Sequence, residues 1–198
     1  MKKGNLLKGR LPFFGKLQVM TGSDHTLVVL VDREDRELGT MEKMEAHRQA
    51  KLHRAFSVFI FDGEGRMLLQ QRAHTKYHSG GLWTNACCSH PFPGEAVAAA
   101  AARRLQEELG FSVPLTPAFS FVYKADFDNG LTEYEYDHVF TGYYEAELQP
   151  DPAEIAATAY QPMDVIREEL RTHPGKYTVW FRLAFPQLEA WLRTRAAD

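Results

Sequence analysis

The chain has 198 residues, of which 44% are hydrophobic and 25% charged, and its formal net charge at pH 7 is -3. This length and composition are typical of a globular protein that folds as one domain with a substantial core. Nothing in the charge balance points to nucleic acid as a partner. No apolar run approaches the length of a membrane span, so no integral membrane segment is expected.

The N-terminal arm, residues 1–24, is basic, with no acidic residue before Asp24, and its cations are Lys2, Lys3, Lys8, Arg10 and Lys16. Charges interrupt its apolar residues, which is unlike the core of a signal peptide. We expect the arm to be mobile or loosely docked, with contact to an anionic partner as the alternative. Residues 25–198 show no repeat and no linker, and we expect them to form a single domain.

Strand patterns dominate the first part of this domain. Apolar runs predict strands at residues 26–32 and 54–62, and residues 66–72 are expected to pair back as a hairpin through the turn at 63–65. Gly39 is expected to lie in a turn within residues 33–40, and a polar segment follows at 41–52. Residues 73–82 are expected to form a loop, rich in His, Lys and Gly.

Residues 84–91 read Thr-Asn-Ala-Cys-Cys-Ser-His-Pro and bring two thiols and an imidazole together. Flanking Gly and Pro residues favour a loop or a strand end. The stretch is either a reaction centre or a buried turn in which Cys serves as a small apolar side chain. Cys87 and Cys88 are the only cysteines and are adjacent, so they cannot close a loop; this fits a reducing, cytoplasmic location.

A helix is predicted at residues 95–109, closed by Gly110. Its apolar stripe consists of Val97, Ala101, Leu105 and Leu109. Glu95, Arg103 and Glu107 point away from the stripe. Arg104 and Glu108 lie at its edge, so we expect both to face the body of the protein.

Strands and helices alternate less regularly in the remaining third of the chain. Residues 119–127 and 131–147 are predicted strands joined by Asp128-Asn129-Gly130, a strong hairpin signal. A short strand at 156–161 and helices at 162–172 and 179–195 follow, with Pro186 expected to kink or divide the last helix. The pattern indicates one α+β domain.

Alternation along the second hairpin strand places Glu133, Glu135 and Asp137 on one face. Three carboxylates on one face repel each other unless a cation lies between them. A metal would satisfy them, with neutral imidazoles completing its ligands, and the candidates are His47, His53 and His90. A solvent-facing acidic strand with scattered histidines is the alternative.

Four cations lie near these elements and suit phosphate oxygens: Lys43, Arg72, Lys76 and Arg104. Solvation at the surface is the alternative for each one alone.

Several motifs follow one another along the chain, and they are Glu42-Lys43-Met44-Glu45-Ala46-His47, Leu52-His53-Arg54-Ala55-Phe56-Ser57, Arg72-Ala73 with Lys76, Leu82-Trp83-Thr84-Asn85, Cys88-Ser89-His90-Pro91, Gly94-Glu95, Arg103-Arg104, Glu107-Glu108-Leu109-Gly110, Glu133-Tyr134-Glu135 and Trp180. In the order of these motifs, the chain resembles the type 1 isopentenyl-diphosphate isomerases of the Nudix superfamily, from about residue 24 to about residue 190. The resemblance implies a Nudix-like mixed β-sheet core flanked by helices, in a monomer or weak dimer.

The implied reaction interconverts isopentenyl diphosphate and dimethylallyl diphosphate through a tertiary carbocation. By resemblance, Cys88 and Glu135 are its acid/base pair, and which of them donates is left open. Tyr123 is implied to hydrogen-bond the catalytic carboxylate, and Trp180 to offer its π face to the cation. Cys87 is assigned to packing. The prenyl diphosphate would be held by Lys43, Arg72, Lys76 and Arg104.

The resemblance also implies two divalent ions. One, Mn²⁺, Zn²⁺ or Mg²⁺, would be bound by His47, His53, His90, Glu133 and Glu135. The other, Mg²⁺, would bridge the diphosphate, with Glu108 as its protein carboxylate.

A Nudix diphosphate hydrolase and a catalytically silent binding module on the same fold are the alternative functions. In the frame of the hydrolase box, Ser89 stands at the Gly position and Arg104 replaces a metal-binding carboxylate. This cation weakens the hydrolase alternative. The silent module has no need of Cys88, Glu135 and three histidines.

Overall fold

The computed structural model describes residues 26–195, so the basic arm predicted at residues 1–24 lies outside the described part. In chain order the elements are β1 (Leu27–Val31), β2 (Glu37–Glu42), α1 (Lys43–Arg48), β3 (His53–Phe61), β4 (Met67–Arg72), β5 (Trp83–Asn85), β6 (Cys87–Ser89), α2 (Val97–Leu109), β7 (Thr116–Asp126), β8 (Thr132–Tyr143), β9 (Ile155–Gln161), α3 (Met163–Thr172), a 3₁₀ turn (Pro174–Lys176) and α4 (Val179–Arg195).

Strand β3 is the centre of a mixed sheet. It pairs antiparallel with β1, β4 and β6, and parallel with β8 over a register that runs from His53↔Glu135 to Phe61↔Tyr143. All but one of its residues are buried, as expected for a strand that is covered on both faces. The predicted α+β class, with a mixed sheet flanked by helices, is confirmed.

The two faces of β3 carry two separate cores. On one face, Phe59 packs with Val139 of β8 and with Phe181 of α4. On the other face, Phe56 and Val58 pack with the apolar stripe of α2. Because side chains alternate along a strand, successive residues of β3 face opposite sides of the sheet.

Several predicted elements differ in detail. Residues 67–72 pair back antiparallel with β3 across the expected turn, but through a single pair (Phe61↔Met67), and β4 pairs mainly with β9. Gly39 lies inside strand β2 rather than in a turn. Residues 84–91, expected as a loop or a strand end, contain the short strands β5 and β6. Helix α4 is not divided at Pro186, since its buried residues on both sides pack against the sheet.

Helix α2 ends where predicted, at Gly110, but begins at Val97 rather than at Glu95. The Glu95 side chain accepts a hydrogen bond from the Phe92 backbone N–H and binds Arg103 instead. Glu108 is buried and Arg104 is largely so, which agrees with the edge position expected for both. Within residues 26–195, no helix is long and apolar enough to cross a membrane.

Replacement of Gly110 by alanine is expected to destabilise the fold. Gly110 adopts φ 79°, and a Cβ there would lie 2.7 Å from the Cβ of Gln149. Left-handed strain and this overlap together should lower the free energy of unfolding by roughly 2–4 kcal/mol, measured by urea denaturation.

Gly130→Ala is the matched control, because Gly130 has φ 78° and a Cβ there would meet no atom within 4 Å. It should cost only the strain, about 1–2 kcal/mol. Equal losses in the two variants would contradict the overlap with Gln149.

Candidate active site

A cavity of about 460 Å³ opens beside β3, β6 and β8 and is lined by most of the predicted site residues. These are Lys43, Arg72, Lys76, Cys88, His90, Arg104, Glu108, Tyr123, Glu133, Glu135 and Trp180. The other two, His47 and His53, are fully buried behind its wall. The structure therefore brings together the histidines, carboxylates, thiol and cations that are far apart in the sequence.

Strand pairing explains why the two cysteines differ. β6 pairs with β3 through Ser57↔Cys88 and Val58↔Cys87. Cys87 has no exposed surface and belongs to the core beneath α2. Cys88 shares the face of Ser57 and opens into the cavity. Ser89 is extended and paired with Phe56, a conformation that does not require the glycine of the hydrolase box.

Three histidines and one glutamate form a candidate metal centre. One ligand atom from each residue lies within 4.8 Å of the others, and the residues are His47, His53, His90 and Glu133. Glu135 Oε1 is adjacent, at 2.9 Å from His90 Nε2 and 3.7 Å from His53 Nε2. Imidazole and carboxylate together suit a divalent transition metal.

The tautomers of two of these histidines point their lone pairs into the cluster. His47 Nδ1 lies 2.5 Å from the Lys43 carbonyl oxygen and His53 Nδ1 lies 2.8 Å from that of Lys51. A carbonyl oxygen only accepts, so both Nδ1 atoms carry the proton and both Nε2 atoms are free to ligate. Burial lowers the pKa of His53 to about 4, which keeps its ring neutral.

His47 Nε2 then faces another acceptor, whereas His53 Nε2 has His90 as its partner. His47 Nε2 lies 3.0 Å from Glu133 Oε2, yet neither atom has a hydrogen-bond partner among the described residues. His53 Nε2 lies 3.2 Å from His90 Nε2. Buried acceptors that face each other without a proton are costly, and a cation between them removes the cost. These residues therefore fit a divalent ion.

The third carboxylate of the predicted acidic face is outside this cluster. Asp137 accepts a hydrogen bond from Ser57 Oγ at 2.7 Å, and its other oxygen has no partner within the described region. Burial raises the pKa of Asp137 to about 7. Asp137 therefore takes no part in the candidate metal cluster, and its carboxyl is protonated more readily than that of an exposed aspartate.

The Cys88 thiol is held between a fixed acceptor and a fixed donor. Both N–H groups of the Asn85 amide are used by backbone carbonyls, those of Val58 and Cys87, at 3.1 and 2.8 Å. The amide oxygen therefore faces Cys88 Sγ, 3.1 Å away, and accepts from it. The indole Nε1 of Trp180 donates to Sγ at 3.1 Å. Burial raises the pKa of Cys88 to about 12, so the thiol stays protonated at neutral pH.

Glu135 lies on the same face of the sheet as Cys88, and it is paired with His53 in the β3–β8 register. The Tyr123 hydroxyl donates to its Oε2 at 2.6 Å. Burial, together with the charges of Glu133 and Asp137, raises the pKa of Glu135 well above its usual range. This carboxyl therefore keeps its proton to a higher pH than an exposed glutamate does.

The other end of the cavity is cationic. Arg104 binds Glu108 at 2.5 Å, Lys76 binds Glu154, and the Arg72 guanidinium lies 5.1 Å from the centroid of the Trp180 ring. The Nε atoms of Arg72 and Arg104 are buried and have no hydrogen-bond partner among residues 26–195. Unused guanidinium donors at a cavity wall are suited to phosphate oxygens.

Sequence reasoning missed three residues of the site. Asn85 was inside a recognised motif but had no assigned role, and His78 lies in a loop without periodicity. Glu154 had no signal at all, because its position between Lys76 and Arg104 depends on the pairing of β4 with β9. The buried His78 donates from Nε2 to Glu133 Oε1 at 2.7 Å. In the sequence, the only hint of a role for His78 was its place in a loop with several other His and Lys residues.

Comparison with known proteins agrees with this arrangement. The chain matches the NUDIX domain family over residues 51–181. The isopentenyl-diphosphate Delta-isomerase of Burkholderia multivorans is 47% identical over 169 residues, which cover 83% of this chain and 96% of that protein. The Streptomyces coelicolor protein of the same name is 49% identical over 158 residues, covering 78% of this chain and 79% of that protein.

Among solved structures, DR0079 from Deinococcus radiodurans superposes with a TM-score of 0.68 at 17% identity, covering 81% of this chain and 98% of that one. The MutT protein from Methanosarcina mazei superposes with a TM-score of 0.59 at 18% identity, covering 70% and 94%. At such identities the likeness shows the fold alone. The identity and coverage of the curated relatives show more: the chain is a NUDIX-domain protein and belongs to the isopentenyl-diphosphate Delta-isomerase family.

Proposed function

We propose that the chain interconverts isopentenyl diphosphate and dimethylallyl diphosphate. The observation that carries the proposal is one cavity that holds a protonated thiol (Cys88), a carboxyl of raised pKa (Glu135) and a cationic end. The hydrocarbon would lie between the first two groups, and the diphosphate would lie against Lys43, Arg72, Lys76 and Arg104. Membership of the isomerase family supports the same substrate.

The chemical step of this reaction needs two proton-transfer groups. One group adds a proton to the terminal CH₂ carbon of the alkene, which leaves a tertiary cation, and the other removes a proton from the neighbouring CH₂. We assign these steps to Cys88 and Glu135, and either order conserves protons overall. Tyr123 holds the Glu135 carboxyl through its hydroxyl. The half-buried walls restrict water, which would otherwise capture the cation.

Trp180 is suited to stabilise the carbocation. Its ring lines the cavity and already lies 5.1 Å from the guanidinium of Arg72, so a cation can reach its face. Such a contact contributes about 2 kcal/mol or more when desolvated. The indole has no nucleophilic group directed at the cation, because its N–H donates to Thr84 Oγ1 and Cys88 Sγ.

We assign one divalent ion, Mn²⁺, Zn²⁺ or Mg²⁺, to His47, His53, His90, Glu133 and Glu135. A second, Mg²⁺, would accompany the diphosphate at Glu108. Bound ions would supply positive charge that holds the diphosphate and fixes the loop of His90. Arg104 and Gln70 each donate to one Glu108 oxygen, and each oxygen keeps a second lone pair that could bind the ion.

Replacement of the two cysteines should separate their roles. Cys88→Ala is expected to reduce isomerisation by at least about 10³-fold, since it removes a proton-transfer group. Cys87→Ala should stay within a few-fold of the parent, because its side chain faces the opposite core. The measurement is conversion of isopentenyl diphosphate in the presence of Mg²⁺, with free phosphate followed in parallel. Full activity in Cys88→Ala would overturn the mechanism, and phosphate release would favour the hydrolase.

Replacement of Glu135 by glutamine should lower kcat by at least about 10²-fold and change KM little, because the amide keeps the shape but cannot exchange the proton. Glu169→Gln is the matched control. Glu169 also accepts from a tyrosine hydroxyl, that of Tyr177 at 2.5 Å, but lies outside the cavity. The assignment fails if the two variants have the same kcat.

Removal of divalent ions by a chelator should lower both activity and thermal stability. Without a cation, His47 Nε2 and Glu133 Oε2 face each other without a hydrogen bond. Restoring Mn²⁺ or Zn²⁺ at about 100 times its dissociation constant should raise Tm by roughly 5–10 °C. The rise should shrink in His47→Ala, and a Tm that no divalent ion changes would count against the metal centre.

A further inference from the structure

We infer that His78 is a positioning residue that fixes the Glu133 carboxylate so that one oxygen faces the metal centre. The inference rests on the proposed metal site and adds a residue outside its ligand set. His78 comes from the loop between β4 and β5, and it is only 7% exposed. Its Nε2 lies 2.7 Å from Glu133 Oε1.

The orientation of the His78 ring is set by packing. The ring stacks on Phe127 with centroids 4.6 Å apart and an interplanar angle of 9°. It also meets the Trp180 ring edge-on at 5.8 Å. A ring held on two sides points its Nε2 in one direction, and that direction is toward Glu133.

The two oxygens of Glu133 therefore have different roles. Oε1 accepts from His78, whereas Oε2 lies 3.0 Å from His47 Nε2 and 3.9 Å from His53 Nε2 without a hydrogen bond. A carboxylate fixed at one oxygen cannot rotate freely about its last bond. Oε2 is thereby presented to the centre as a ligand atom before any ion arrives, which lowers the cost of ordering it on binding.

His78 itself is not expected to ligate the ion. A carboxylate oxygen that is unprotonated only accepts, so the His78 nitrogen beside it carries the proton and has no lone pair to offer. The other nitrogen, Nδ1, lies 3.3 Å from Ser79 Oγ. Glu135 is held in the same way on its outer oxygen, by the Tyr123 hydroxyl. Each of the two carboxylates thus has one donor behind it and one oxygen directed at the histidines.

The test compares Co²⁺ affinity, measured by visible absorption and calorimetry on the full chain without substrate. His78→Phe keeps the stacking ring and removes the donor, and we expect its dissociation constant to rise by about 10–100-fold. His78→Gln returns a donor near the position of Nε2 and should bind within about threefold of the parent. An affinity in His78→Phe within twofold of the parent would overturn the inference.

His138→Phe is the control for loss of a histidine, because His138 Nε2 also contacts a carboxylate, Asp35 Oδ2 at 2.9 Å, away from the cavity. It should leave the affinity unchanged. If His78→Phe does not fold, His78→Gln and His78→Met, which have similar shapes and differ in the donor, replace it. Equal affinities in that pair would also overturn the inference.

Two further outcomes separate this inference from the metal site. At saturating Co²⁺, His78→Phe should show the absorption bands of the parent, because the ligands are the same; altered bands would make His78 a ligand and refute a positioning role. If the parent chain binds no Co²⁺, the proposed metal site fails, and the role of His78 fails with it. If the parent and His78→Phe both bind Co²⁺ tightly, the role of His78 is refuted and the proposed metal site stands.

Discussion

The parallel pairing of β3 with β8 is the constraint on which the candidate site depends. It sets His53 directly beside Glu135 and continues without a register shift to Phe61↔Tyr143. A slip of one residue would turn Glu133, Glu135 and Asp137 away from the cavity and into the core beneath α2. The apolar half of β3 resists such a slip, because Phe59 and Ile60 already fill the two opposite cores.

That pairing also creates a cost that the apolar cores must offset. It buries carboxylates beside imidazoles, and backbone carbonyls hold the Nδ1–H groups of His47 and His53, so that the Nε2 lone pairs of these two histidines face the cluster. Without a bound cation, a site of this kind would destabilise the fold, because burial raises the free-energy cost of each polar group that lacks a partner. The fold is thus arranged so that a cation completes it, while Tyr123 and His78 satisfy the outer oxygens of Glu135 and Glu133.

Sequence reasoning succeeded where the determining interactions are local. The Asp128-Asn129-Gly130 turn and simple alternation gave the β7–β8 hairpin and the shared face of Glu133 and Glu135, and helical periodicity placed Arg104 beside Glu108. It did not give the β3–β8 or β4–β9 pairings, because parallel and long-range contacts leave no local pattern. Glu154 and His78 enter the site only through those contacts, which is why no motif pointed to either of them.

The different environments of the two thiols follow from one short strand. Once residues 87–89 pair with β3, alternation sends Cys87 into a dry core and Cys88 into the cavity. In the proposed reaction, a thiol with a pKa of about 12 is a weak acid. Proton donation therefore depends on what stabilises the two charges that it creates, the thiolate and the carbocation. Trp180 would serve both charges, because its N–H donates to the sulfur at 3.1 Å and its ring lines the cavity, where the Arg72 guanidinium lies 5.1 Å from the ring centroid. In the proposed reaction, the strength of proton donation would thus depend on the contact between Cys88 of β6 and Trp180 of α4 rather than on the thiol alone.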